Sequence, residues 1–173
     1  TVLVHPGIYY ENVWIEEKED IALVSMEAIT GNSVYINSTV IDGNRSGTCI
    51  TIVYSSEITI QGFSITNGFE FHYANFEHIS CAGGIYSYEN DDLNFSNCKI
   101  HENIGYGGGM YLIETHNVFL SGLNIIHNFG IIGGGIHIMY NSTPIFDSVN
   151  RCSIYNNFAG IGNDISAYYS GNI

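Results

Sequence analysis

Gly83-Gly84-Ile85-Tyr86, Gly108-Gly109-Met110-Tyr111 and Gly134-Gly135-Ile136-His137 are three copies of one tetrad. The apolar third residue recurs after 25 and then 26 residues, and an altered fourth copy stands at Gly162-Asn163-Asp164-Ile165. Upstream of successive copies an asparagine closes a short apolar run: Asn103 before Met110, Asn128 before Ile136 and Asn157 before Ile165. A period of this length marks stacked units, none of which can bury its apolar face alone.

Laid out on that period, each unit contains three triplets. The first column holds Ile50-Thr51-Ile52, Ile85-Tyr86-Ser87, Met110-Tyr111-Leu112, Ile136-His137-Ile138 and Ile165-Ser166-Ala167. The second holds Ile58-Thr59-Ile60, Leu93-Asn94-Phe95, Val118-Phe119-Leu120 and Ile145-Phe146-Asp147. The third holds Phe63-Ser64-Ile65, Cys98-Lys99-Ile100, Leu123-Asn124-Ile125 and Cys152-Ser153-Ile154. In nearly every triplet the outer two residues are apolar, and period-two alternation sends both inward. The pattern predicts an all-β chain: a right-handed parallel β-helix with three short strands per turn. Glycine and asparagine at the corners are expected to supply positive φ. Asn103, Asn128 and Asn157 are structural corner residues, either turn formers or an internal amide ladder.

The chain reads as one β-helix domain over 1–173 and as a segment of a longer protein, with irregular first turns over 1–49 and regular turns over 50–173. An insertion at 69–81 interrupts the regular part and carries Glu70, His72, Glu77 and His78. Solenoid insertions loop out on one face, often a binding face.

The 17 acidic residues face only Lys18, Arg45, Lys99 and Arg151, for a net charge of −13. Such a chain repels nucleic acid, and it repels anionic lipid and acidic polysaccharide unless a divalent cation bridges them. No apolar run is long enough for a membrane span, so membrane insertion is not expected. The four cysteines lack CxxC spacing, and no metal site or cofactor is called for. Calcium is compatible with the acidic surface but has no motif here.

The runs Thr1-Val2-Leu3-Val4-His5-Pro6-Gly7, Thr39-Val40-Ile41-Asp42-Gly43-Asn44 and Ile58-Thr59-Ile60-Gln61-Gly62-Phe63-Ser64-Ile65-Thr66-Asn67-Gly68, with the repeated glycine tetrads, resemble the parallel β-helix proteins of the pectate-lyase-like superfamily. The resemblance is to its large secreted bacterial surface proteins, which implies a secreted or cell-surface location. It carries no single activity, because lyases, hydrolases, esterases and adhesins share that fold.

Lyase chemistry needs a basic residue beside calcium-binding aspartates, and Lys99 and Arg151 have few carboxylates near them. The outward positions show no acidic pair for glycoside hydrolysis, nor the aspartate, arginine and glutamine set of the esterases. Tyr86, Tyr111 and His137 fall in one outward column, and Phe119 and Phe146 form a second outward pair. These five are the expected ligand-binding residues, with no catalytic residue among them. The reading is a structural or adhesive module that binds polysaccharide or other surface proteins. The alternatives are a carbohydrate-active enzyme with sites partly outside this segment, and a filament subunit associating end to end.

Overall fold

The computed structural model describes residues 1–70 and 81–168, which wind through six parallel turns. The first face stacks Val13–Glu16, Ile50–Val53, Ile85–Tyr88, Met110–Ile113, Ile136–Met139 and Ile165–Tyr168. The second stacks Val2–Val4, Glu19–Ser25, Ser56–Gln61, Asn94–Ser96, Val118–Ser121 and Pro144–Phe146. The third stacks Gly7–Tyr10, Thr39–Asp42, Ser64–Thr66, Lys99–His101, Asn124–Ile126 and Ser153–Tyr155. The right hand is that of nearly every parallel crossover. Residues 1–49 supply strands to all three faces, so the first turns share the architecture of the rest. Between the strands Glu19–Ser25 and Thr39–Asp42 lie two short helices, α1 (Glu27–Thr30) and α2 (Val34–Ser38), and α2 packs on the strands Thr39–Asp42 and Ser64–Thr66.

The register of the first and third faces is the one the triplets imply: Ile50, Ile85, Met110, Ile136 and Ile165 align, as do Ser64, Lys99, Asn124 and Ser153. The inward residues form one core down the axis, including Ile50, Ile60, Phe63, Phe95, Ile100, Leu112 and Leu120.

The last strand of the second face is shifted by one residue. Pro144, Ile145 and Phe146 pair with Val118, Phe119 and Leu120. Phe119 therefore faces outward beside Ile145, and the expected pair of Phe119 with Phe146 does not exist. The cause is the turn before it: the Thr143 hydroxyl accepts from the Asn117 N–H and the Thr143 carbonyl from the Val118 N–H, which aligns Pro144 with Val118. A slip of one residue exchanges the faces of a strand.

As expected, asparagine and glycine supply positive φ at many corners, among them Asn67, Asn97, Asn117, Asn156, Gly62 and Gly122; other residues share this conformation in columns, Glu17, Tyr54, Glu89, Glu114 and Tyr140 at one corner, and Glu102 and His127 between Asn67 and Asn156 at another. The tetrad glycines at 84, 109 and 135 have ordinary φ. They are glycine because a Cβ on Gly84 would run into the Gly109 carbonyl, one on Gly109 into that of Gly135, and one on Gly135 into that of Asp164. Close stacking of one turn on the next, more than bending, demands them.

Inside the corner before each tetrad runs a buried amide ladder. Asn103 Nδ2 donates to Asn128 Oδ1 at 3.1 Å, Asn128 Nδ2 to Asn157 Oδ1 at 3.0 Å, and Asn157 Nδ2 to Asp164 Oδ1 at 3.0 Å. Each asparagine's backbone N–H donates to the same acceptor as its amide. Asp164, where the tetrad has lost a glycine, thus supplies the ladder's terminal acceptor. A second buried network at the opposite corner joins Ser55, Ser87, Asn90 and Thr115.

Candidate binding face

Immediately after the ladder residues the chain makes a fourth, shorter sheet that the triplet pattern did not include: Phe69–Glu70, Ile104–Gly105, Phe129–Ile132 and Phe158–Ile161. Its first residues align as Phe69, Ile104, Phe129 and Phe158 on successive turns. Phe69 is 40% exposed, Phe129 42% and Phe158 60%, and the last two rings stack at 5.4 Å with planes 19° apart. Ile131 and Ile161 extend the apolar surface on the lower turns.

Two residues earlier on each turn lies the left-handed corner column Asn67, Glu102, His127 and Asn156, with Glu102, His127 and Asn156 exposed. Between the two columns the chain dips inward at Gly68 and the buried Asn103, Asn128 and Asn157. The result is an apolar strip running along the axis, bordered on one side by hydrogen-bonding groups at a spacing of about 4.8 Å. Both columns follow from one local geometry: the left-handed residue turns the chain, the asparagine drops into the ladder, and the next residue emerges on the outside.

The expected strip of Tyr86, Tyr111 and His137 is in one column, but it is not a surface. Tyr86 is 4% exposed, Tyr111 5% and His137 2%. They point away from the axial core into a second apolar cluster with Val53, Cys81, Ala82 and Ile113, against which Tyr54, Tyr88, Tyr106, Met139 and Tyr140 pack. Tyr86 meets Tyr111 edge-on, Tyr111 lies 4.8 Å from His137, and the Tyr111 hydroxyl points at Met139 Sδ. Burial raises the Tyr86 and Tyr111 hydroxyl pKa values and pushes the His137 imidazole below its ordinary value. This is an outer core, with rings in edge and offset contact.

Of the second pair, Phe119 is 38% exposed on the second face beside Asn94 and Ile145, away from the strip. Phe146 occupies the inward register of its strand and is 42% exposed. Lys99 is half-buried on the third face, and Arg151 is exposed in a turn where its Nε donates to the Ser148 carbonyl. Glu89, Asp91 and Glu114 line an open acidic corner with Tyr54 and His116. No group of three metal-ligating side chains occurs among the described residues. Within the insertion, His72, Glu77 and His78 lie outside the described residues. Among the described residues no helix is long and apolar enough to cross a membrane.

No protein-family model matches the chain, and no curated protein does. Among solved structures, a pectin methylesterase from Yersinia enterocolitica superposes with a TM-score of 0.52 at 14% identity, covering 83% of this chain and 54% of that one. The chain thus spans about half the length of that protein, and the likeness shows the parallel β-helix fold.

Proposed function

We propose that this chain is an extracellular β-helix module that holds a neutral polysaccharide lengthwise along the strip Phe69-Ile104-Phe129-Phe158. The observation that carries the reading is the strip itself. The exposed, mutually stacked Phe129 and Phe158, with Ile104 and Phe69 on the two turns before them, offer an apolar surface to sugar rings, and Glu102, His127 and Asn156 offer hydroxyl partners along one rim. A rim of donors and acceptors repeating with the turns suits a polymer of hydroxylated units better than a lipid surface. The net charge of −13 disfavours polyanions and leaves neutral glycans as the favoured class. The exterior location rests on the sequence resemblance to secreted surface proteins. The likeness to a pectin methylesterase fits a carbohydrate-directed role, catalytic activity included, better than a purely structural one.

The test is retention on insoluble neutral polysaccharides (cellulose, chitin and mannan). The wild type and Phe119→Ala are expected to be retained on at least one, and the double variant Phe129→Ala/Phe158→Ala is expected to be lost from it. Equal retention of all three proteins, or of none, overturns the proposal. Capture of a protein partner by the wild type, with no retention on any glycan, assigns the strip to protein contact.

A further inference from the structure

The third face adjoins the polar rim of the strip, and its outward side carries an arrangement that shares only Glu102 with that rim; Ser64, on the strand against which α2 packs, is 4% exposed, and His101 is half-buried. Ser64 Oγ lies 2.9 Å from His101 Nε2, and His101 Nδ1 lies 3.4 Å from Glu102 Oε2. The three groups come from two adjacent turns. Ser64 and Lys99 pair across the ladder, as do Thr66 and His101, so the outward side chains of one strand reach those of the next. Glu102 occupies the left-handed corner directly after His101, which swings its carboxylate back beside the imidazole.

A hydroxyl within hydrogen-bond reach of an imidazole nitrogen, with a carboxylate at the other nitrogen, is the constellation of nucleophile, base and orienting group used for acyl transfer. The carboxylate favours the tautomer with the proton on Nδ1, leaving Nε2 free to accept from Ser64. Burial, followed by the neighbouring Lys99 charge, lowers the His101 pKa, with Glu102 acting in the opposite direction. The imidazole is therefore neutral near pH 7, the state a general base needs. Lys99 is the ladder partner of Ser64 on the next turn and contributes a positive charge to the same outward column. Among the described residues Lys99 makes no ion pair. Two buried polar atoms in these columns also lack protein partners: Thr66 Oγ1, on a residue 6% exposed, and Asn124 Oδ1. Unsatisfied buried acceptors and hydroxyls cost stability.

We infer that Ser64, His101 and Glu102 form a serine hydrolase site for carboxylic esters of the O-acyl type borne by alcohols such as sugars. Ser64 Oγ bonds to the acyl carbon as its proton passes to His101 Nε2. The carbonyl oxygen becomes an oxyanion, whose charge the positive Lys99 of the neighbouring outward position favours. The bond from carbon to the alcohol oxygen then breaks, and Nε2 returns the proton to the departing alcohol. Water attacks the acyl-Ser64 ester with His101 accepting its proton, the Oγ–carbon bond breaks, and Ser64 Oγ is reprotonated as the carboxylic acid leaves. Glu102 is a positioning residue, fixing the imidazole. This set is distinct from the aspartate, arginine and glutamine set of the superfamily's esterases, and it does not require glycan binding on the strip, with which it shares Glu102.

The test uses the full chain with a fluorophosphonate probe and p-nitrophenyl acetate. The expected result is a single phosphonyl adduct mapped by peptide mass spectrometry to Ser64. Ester hydrolysis should fall by about 100-fold or more in His101→Gln, within the usual range for loss of a general base, and to background in Ser64→Ala. Glu102→Gln should lower kcat with KM unchanged. An adduct elsewhere, no adduct on wild-type protein, or a Ser64→Ala variant of native circular dichroism that hydrolyses ester at the wild-type rate overturns the inference. The adduct map is made on wild-type protein, so misfolding of a variant leaves the outcome decidable.

Discussion

Replacing Asn128 by alanine removes one rung from the middle of the amide ladder, and its cost can be worked out from its bonds. Asn128 is 1% exposed. Its Oδ1 accepts from the Asn103 backbone N–H and from Asn103 Nδ2, each at 3.1 Å. Its Nδ2 donates to the Ile100 carbonyl at 2.9 Å and to Asn157 Oδ1 at 3.0 Å. In Asn128→Ala the Asn103 backbone N–H loses its acceptor in a place water does not reach, and one amide N–H of Asn103 loses its partner as well. Each orphaned buried group costs about 1–3 kcal/mol. With some relaxation, the sum is about 4 kcal/mol, a large part of the roughly 5–15 kcal/mol a domain has. Asn128→Asp is no rescue, because a carboxylate would set oxygen against the Ile100 carbonyl and Asn157 Oδ1. The assay is urea unfolding followed by far-UV circular dichroism, with stability from linear extrapolation. Asn37→Ala, at an exposed position of α2, serves as the control and should stay within about 0.5 kcal/mol of wild type. A loss below about 1 kcal/mol for Asn128→Ala would refute the reasoning.

Three further outcomes follow from the same packing. Gly109→Ala sets a Cβ 2.5 Å from the Gly135 carbonyl oxygen and 3.0 Å from Asn128 Nδ2, so it should destabilise by about 3 kcal/mol in the same urea assay even though glycine there has ordinary φ. Burial depresses the folded-state pKa of His137 below its ordinary 6.5. Protonation therefore favours the unfolded chain: His137's contribution to stability is intact above pH 6.5 and is lost as the pH falls through the depressed folded value. His137→Phe should flatten that part of the stability profile, and an unchanged acid slope would count against it. Burial holds the Cys49 and Cys98 thiols up at about 12, so neither should react with a thiol reagent at pH 8 until denaturant is added, as read by mass of the labelled peptides.

The three-column register was legible because inward positions repeat as apolar pairs, and stacking leaves little choice of partner for Ile85, Phe95 or Ile100. The candidate binding residues were not legible to the same degree, because period-two alternation tells which way a side chain points and says nothing of what lies over it. Tyr86, Tyr111 and His137 do point away from the axis, yet Tyr106 and its neighbours cover them. The tyrosines at 54, 88, 106 and 140, recurring on the same turns, were the available signal of a second layer. The exposed strip was equally present in the sequence, as the residue following each ladder asparagine: Ile104, Phe129 and Phe158. These residues fall between the triplets, in what reads as a corner, so the alternation pattern does not single them out. The register of Phe146 differs by one residue from the triplet pattern because it is set by hydrogen bonds of Thr143, which no hydrophobic pattern records. The approach of Ser64 to His101 depends on pairing between strands 37 residues apart, so it emerges only once the turns are stacked.

The central claim is that a neutral glycan lies lengthwise on the Phe69-Ile104-Phe129-Phe158 strip. Its most direct test is isothermal titration of the wild-type chain with a length series of neutral oligosaccharides drawn from whichever polysaccharide retains it. Affinity should climb with each added sugar until the ligand spans the four turns and then level off, and Phe129→Ala should weaken the plateau by about fivefold to tenfold, for the loss of about 1 kcal/mol of ring stacking. Affinity that is independent of ligand length, or untouched by Phe129→Ala, would contradict it.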